Sequence, residues 1–169
     1  LLSNLWLSIK MPRVTNGNYA DQLGRHILKS VAMYVDDTEL EKIEGDWGII
    51  YDELYLELSE KVANRFLVNR NIGFDESSRN ESLARSSSDV VIPLHLFFSR
   101  KYASDEYTSN QPNRPYFPVC AIHRQKIEFE LEFHPQTFFT NTTDTLSLQS
   151  FNLVTEEITV SPEERKYMM

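Results

Sequence analysis

At the start of the chain apolar and polar side chains take turns. Leu5, Leu7, Ile9 and Met11 alternate with Trp6, Ser8 and Lys10, a period of two that predicts a strand with one face buried. Pro12 ends it, and Asn16-Gly17-Asn18 marks a turn. Val31, Met33 and Val35 then alternate with Ala32 and Tyr34, and Asp36-Asp37 follows as a tight hairpin turn, with Leu40 and Ile43 beyond it. The sharpest alternation comes later, where Ile127, Phe129, Leu131 and Phe133 interleave with Glu128, Glu130 and Glu132. Those apolar residues are expected to face a core and the glutamates to face water or a partner.

The period changes between Asp46 and Phe66. Trp47, Ile50, Tyr51, Leu54, Leu58 and Val62 recur at steps of three and four, which predicts one amphipathic helix over about residues 46–66. Asp46 is its candidate N-cap, and Asp52 and Glu53 lie early, where the helix dipole favours negative charge. Asn69 to Asp89 is polar and serine-rich and reads as a surface loop, as does Arg100 to Pro115. Between them Val90 to Phe98 is almost unbroken apolar sequence around Pro93, a strand packed on both faces with the proline at an edge or bulge. Asn141 to Asp144 is a turn, and Leu146, Leu148, Phe151 and Leu153 form a strand whose parity shift signals a bulge. Ile158 and Val160 close the set. Ser161, Pro162 and Glu164 then have the spacing of a capping box at a helix start. Short strands, long loops and one inserted helix predict a mostly β domain, a jelly-roll β-sandwich or barrel.

Composition narrows the function. The chain has 169 residues, enough for one domain with a real core. Its net charge of −8 disfavours direct nucleic-acid binding and docking on anionic membranes, both of which need a cationic surface. No apolar stretch is long enough to span a bilayer. The single cysteine, Cys120, sits in the apolar run Phe117–Ile122 and is expected to be a buried, inert thiol. The opening residues lack both an initiator Met and a basic segment, so they are not a signal peptide. They read as the middle of a strand, and the chain is expected to be a piece of something longer.

Candidate chemistry is sparse. His26, His95, His123 and His134 do not stand at metal-ligand spacing, and His95, inside an apolar run, is expected to be a hydrogen-bonded core or interface residue. There is no nucleophile elbow, Walker loop or dinucleotide fingerprint, and five glycines leave little for a phosphate cradle. Glu128, Glu130 and Glu132 look solvated rather than paired across a cleft. Asp36, Asp37 and Glu39 lack the calcium-loop pattern and read as a turn. Asn80-Glu81-Ser82 and Asn141-Thr142-Thr143 match the glycosylation acceptor. No catalytic residue, metal or cofactor is expected.

Three stretches resemble the major capsid proteins of the nucleocytoplasmic large DNA viruses. Val31 to Leu54, with its Asp36-Asp37 turn and Gly45-Asp46-Trp47, is similar to that family's strand, turn and strand leading into a Gly-Asp-Trp helix. Ile92-Pro93-Leu94-His95-Leu96-Phe97-Phe98 resembles its Pro-Leu-x-Phe-Phe strand, and Pro118 to Leu131 a further strand pattern. Pro162 to Tyr167 looks like the run joining the first barrel to the second. The resemblance implies a structural virion protein: the N-terminal barrel, residues 1–169, of a double jelly-roll subunit, with a linker to a second barrel beginning near residue 161. It implies homotrimeric capsomers, contacts with other capsid proteins, an icosahedral shell, and assembly in the host cytoplasm, where the glycosylation triplets would stay bare. Pro112, Pro115 and Tyr116 are the candidate interface residues, because aromatic residues are enriched in interface cores. Two features depart from the family pattern. Strands expected before Leu1 and the second barrel are not in the sequence, and Asp36-Asp37 stands where a glycine pair is common.

Two other readings compete. A carbohydrate-binding jelly-roll module calls for exposed aromatics grouped on one face, for which only Trp6 is a candidate. A cupin-like metalloenzyme calls for a His/Glu cluster inside the barrel, and the histidine spacing makes it the weakest.

Overall fold

The computed structural model describes residues 1–14, 17–68, 88–100, 115–122 and 124–168. Most of the two expected loops lies outside the described residues, as do Asn16, Asn80, Pro112 and His123. Strands β1 (Leu2–Met11), β4 (Ser88–Pro93) and β6 (Ser150–Glu157) form one antiparallel sheet in the order β4-β1-β6. Strands β2 (Leu28–Val35), β3 (Thr38–Glu44) and β5 (Ile127–Phe133) form a second, in the order β3-β2-β5. The sheets share one apolar core, as expected of a jelly-roll sandwich.

The central strand of each sheet carries a row of fully buried side chains. In β1 the alternation read from the sequence is the burial pattern: Leu5, Leu7, Ile9 and Met11 are each at most 1% exposed. Leu7 lies opposite Ile92 on one side and Leu153 on the other, so the inward row continues across the sheet. A register shift between Leu2 and Asn4 lets Leu2 also turn inward. In β2, Val31 and Met33 are wholly buried, facing Leu131 and Phe129 across the β5 ladder.

The hairpin between β2 and β3 is the two-residue turn Asp36-Asp37, flanked by the pair Val35 and Thr38. Asp36 takes a left-handed conformation, φ 51°, which aspartate tolerates better than most residues. Its backbone N–H donates to the Lys126 carbonyl at 2.7 Å, and its carboxylate accepts from the Lys126 N–H at 2.8 Å.

Edge strands differ from expectation in instructive ways. The strand expected to run through Phe98 stops at Pro93, on an edge strand, where a missing N–H is tolerated. Beyond it Leu94 still donates to Leu5, and the Leu96 carbonyl then accepts from Ser99 and Arg100, turning the chain. In β5 the glutamates are exposed as expected, but Ile127, Phe129, Leu131 and Phe133 are only half-buried, because β5 is the edge of its sheet. Leu146 and Leu148 belong to no strand. Leu146 packs on the core from an irregular segment, so the expected bulge within one strand is instead the approach to β6. Ile158 and Val160 follow β6 outside the sheet, although Ile158 N–H donates to Leu1 O at 2.7 Å. Phe151, 53% exposed, meets Phe133 of the other sheet edge to face at 6.5 Å along the open flank of the sandwich.

The single helix expected over 46–66 is two, α2 (Gly45–Leu54) and α3 (Leu58–Leu67). The break has a local cause. Glu60 reaches back to accept from the Glu57 N–H at 3.0 Å, half of a capping box that starts a new helix. Asp46 is not the cap either. Glu44 holds that position without a side-chain hydrogen bond, and Asp46 lies inside the first turn. Nor is the periodic apolar face buried as a whole. Gly48, Tyr51 and Asp52 point inward, while Ile50, Leu54, Leu58 and Val62 are exposed.

Two short helices, α1 (Leu23–His26) and α4 (Gln136–Phe139), carry no sequence signal strong enough to anticipate. The last element, α5 (Pro162–Met168), begins as read: the Glu164 N–H donates to Ser161 Oγ at 3.2 Å, and the Ser161 N–H donates to the Glu164 carboxylate at 2.9 Å. Cys120 is half-buried rather than buried, in the 3₁₀ turn Val119–Ala121, with its Sγ 3.8 Å from Met168 Sδ. Leu131→Ala is expected to cost about 2 kcal/mol in a denaturant melt, below the cost at a fully enclosed site. A loss under about 0.5 kcal/mol, the range of ordinary surface changes, would mean that the side chain faces away from the core.

Candidate functional site

The most concentrated polar chemistry lies where the helices meet the sandwich. Arg25, on α1, is 5% exposed. Its Nε and Nη2 donate to the two carboxylate oxygens of Asp52, on α2, each at 2.9 Å. Its Nη1 donates to the carbonyl of Pro93, the last residue of β4, at 2.7 Å. His95 completes the group, with Nε2 3.0 Å from Arg25 Nη2 and 3.2 Å from Asp52 Oδ1. Its ring stacks on Tyr51 at 3.9 Å. Three chain segments far apart in sequence thus meet at one guanidinium.

Glycines clear the space. A Cβ on Gly48 would come within 2.7 Å of Arg25 Nη1, and one on Gly45 within 2.0 Å of the Leu28 carbonyl. Gly45 and Gly48 are therefore the residues that let α2 lie flush on β2 and on Arg25. Beside the cluster, Arg100 pairs with Glu41 at 2.5 Å and lies over the Trp47 ring at 5.9 Å, tying β3 to the segment after β4.

The charges settle in one arrangement. Burial pushes the Asp52 carboxyl up, but the His95 hydrogen bond and the Arg25 charge outweigh it, so its pKa lies below the usual value. Burial pushes His95 down; the Asp52 hydrogen bond opposes this, and the charges of Arg25 and Arg100 reinforce it. Asp52 is an anion held bidentate, and His95 is a neutral ring. Despite the residue types this is not a proton relay. The ring nitrogen facing Asp52 is the one facing Arg25, and Ser99 Oγ nearby has no hydrogen-bond partner among the described residues. The geometry clamps helices to a sheet.

His95 is thus the hydrogen-bonded core histidine the sequence implies. Arg25 and Asp52 were not singled out as its partners. The available signal was a buried-looking charge of each sign in an apolar setting: Arg25 between Leu23 and Ile27, and Asp52 one helical turn after Gly48.

The other candidates stay apart. Pro115 and Tyr116 are exposed, just before Phe117, whose N–H and carbonyl bridge to Leu2 at 3.0 and 2.9 Å. The Asn141 side-chain oxygen accepts from the Asn18 N–H at 2.6 Å, so this exposed asparagine fastens a loop. Among the glutamates, Glu132 pairs with Lys29 and Glu128 with Lys126, each at 2.5 Å. His134 stacks on Phe138 at 3.9 Å, and His26 meets the same ring at 6.1 Å. Among the described residues no group of three or more His, Cys, Asp or Glu is placed to hold a metal ion. Trp6, half-buried, lines a cleft of about 310 Å³ with Tyr51, Leu56, Leu67 and Leu94.

Two antiparallel sheets around one core, with helices inserted between strands, define a jelly-roll domain. The chain belongs to the major capsid protein N-terminus family, whose model matches residues 1–165. Among solved structures it is similar to PBCV-1 VP54 fitted into a cryo-EM reconstruction of the virophage Sputnik, with TM-score 0.72 and 14% identity. It is also similar to a chain of a quasi-atomic model of the PBCV-1 virus capsid, with TM-score 0.65 and 14% identity. Each match covers 99% of this chain and 37% of the other, so the chain spans little more than a third of those proteins. At that identity the likeness speaks for the fold. No curated protein matches the chain.

If the cluster is a clamp, Arg25→Met should cost about 3–5 kcal/mol in a urea melt, because it leaves the Asp52 carboxylate buried without its cationic partner. Arg25→Met combined with Asp52→Leu should cost less than Arg25→Met alone. A pH signature follows from His95, whose folded pKa is depressed. Its contribution is fully present above about pH 6.5, the ordinary imidazole value, and is lost as pH falls towards the folded value. Asp52 adds a second loss below about pH 4, again because its folded pKa is depressed. The stability advantage of the native protein over His95→Gln should therefore shrink between pH 7 and pH 5, and an advantage unchanged across that range would overturn the assignment.

Proposed function

We propose that the chain is the N-terminal barrel of a shell-building subunit, the major capsid protein of a large DNA virus. The observation that carries this reading is the family match over residues 1–165, joined to a two-sheet sandwich around one core. On this reading a linker begins near Ser161, with α5 at its start, and leads to a second jelly roll in the longer protein. Three such proteins form a capsomer, capsomers meet further capsid proteins, and the shell is built in the host cytoplasm and stays in the virion. The domain acts through shape. It catalyses nothing, takes no metal or cofactor, and does not touch the genome directly, in keeping with its net charge of −8.

On this reading Pro112, Pro115 and Tyr116 contribute to a subunit contact. Tyr116 is 40% exposed on a segment fastened to β1, the combination of rigid support and accessible aromatic surface that interface cores use. Asn80 and Asn141 remain unmodified on this reading.

The test is assembly of the longer protein, with the regions that flank this chain restored. Light scattering should give the mass of a trimer, and Tyr116→Ala should weaken trimerisation about tenfold or more if the tyrosine anchors the contact. A protein that stays monomeric at high concentration would refute the proposal.

A further inference from the structure

The cleft beside Trp6 gathers polar atoms that the fold leaves unanswered. It encloses about 310 Å³ between α3, β1 and the turn that follows β4. Asn64, on α3, is 7% exposed and Ser99, in that turn, 9%, and both line the cleft. Among the described residues Asn64 Oδ1 and Ser99 Oγ have no hydrogen-bond partner. The two other buried side-chain atoms in that position, Trp47 Nε1 and Arg100 Nε, lie outside the cleft. An unpaired buried polar atom costs stability, so two of them on one cavity call for a reason.

The walls are apolar and firmly held. Trp6 lies on the sheet face opposite the buried row of Leu5 and Leu7. It makes no ring contact among the described residues, whereas Trp47 meets Tyr51 and Tyr55 at 6.1 and 6.4 Å. Leu56, Leu67 and Leu94 complete the apolar lining. Tyr51 is stacked on His95, and the Gly24 N–H donates to the Val68 carbonyl just past α3 at 3.0 Å, so both helices are fixed independently of the cleft. Among the described lining residues the one carboxylate is Glu60, which already accepts from the Glu57 N–H at 3.0 Å, and there is no lysine or arginine.

We propose that this cleft binds a small neutral aromatic molecule bearing a hydroxyl, of the phenol class, with its ring against Trp6 and its hydroxyl at Asn64 Oδ1 or Ser99 Oγ. A hydroxyl both donates and accepts, so the same group can answer either atom. A hydrocarbon would leave both atoms unpaired, and an anion would meet no cation. A sugar would bring more hydroxyls than the lining can pair, each unpaired one at a cost. The volume is that of a site for a small ligand. The proposal concerns this chain alone and does not rest on the shell-building role.

The probe is 4-ethylphenol, titrated calorimetrically against the native chain, with ethylbenzene and methyl glucoside as comparisons. The phenol should bind saturably with a Kd below about 1 mM, and each comparison should bind about tenfold more weakly or worse. The indole N–H resonance of Trp6 should move on titration, and that of Trp47 should move less. Asn64→Leu should weaken phenol binding about tenfold and strengthen that of ethylbenzene, with a thermal midpoint no lower than the native one, since the lost amide had no partner to lose. Ser99→Ala should weaken phenol binding about threefold or more. Absence of saturable binding, or equal binding of ethylbenzene or methyl glucoside, would overturn the proposal. So would phenol affinity unchanged in both variants. A fall of more than roughly 4 °C in the midpoint of Asn64→Leu would show that the amide is paired within the protein, and would overturn it too. Trimerisation of the longer protein is read separately, so either proposal can fail while the other stands.

Discussion

Two rows of side chains decide whether this molecule exists: Leu5, Leu7, Ile9 and Met11 from β1, and Val31 and Met33 from β2. Each row lies on the middle strand of its own sheet, so its backbone groups are matched on both sides and only its side chains are left to bury. Burying a side chain of this size is worth about 1.5–3 kcal/mol against leaving it in water. Everything peripheral inherits its position from that contact: the edge strands pair outward from it, and α2 packs against β2 and β3. A sandwich assembled in this way is stiff in the middle and negotiable at its margins, which suits a building block whose margins must meet others.

The middle was legible in the sequence and the margins were not. Period-two alternation in Leu5–Met11 and Ile127–Phe133 gave the correct faces, because pleating obliges neighbours to point in opposite directions. The capping box at Ser161 and the turn at Asp36-Asp37 were readable for the same reason, since each is decided within a few residues. Periodicity misled in the helical region. Steps of three and four from Trp47 to Val62 describe a face that the fold splits, burying Tyr51 and leaving Ile50, Leu54, Leu58 and Val62 in water. What turns α2 inward is Asp52, drawn by Arg25 from another element, together with the clearance at Gly48. Such a choice is made by tertiary electrostatics and close approach, and no local window contains it. The half-burial of Phe129 and Leu131 was hidden likewise, because alternation tells which side a residue faces and says nothing of whether its strand ends up at an edge.

The polar cluster gives the domain a second kind of specificity. Apolar packing tolerates many arrangements of similar volume, whereas a bidentate pair with a third donor on the Pro93 carbonyl accepts one. Arg25, Asp52 and His95 thus fix the angle at which the helical hairpin leaves the sandwich. The outer face of that hairpin is consequently presented in a single orientation.

The aspartate at the tip of the β2–β3 hairpin has a consequence for how the chain assembles. Hairpins of this kind close within microseconds, whereas β5 must return across a separation of 90 residues to reach Asp36, a search whose entropy cost grows with the enclosed loop. By offering Lys126 both an acceptor and a donor, the tip gives the late strand a fixed mooring just before its first residue. A slip of one position would turn Phe129 and Leu131 to solvent and the glutamates to the core. Asp36 bears the strain of a left-handed backbone that glycine would adopt freely, and in exchange the chain aligns a distant strand from a turn completed long before that strand arrives.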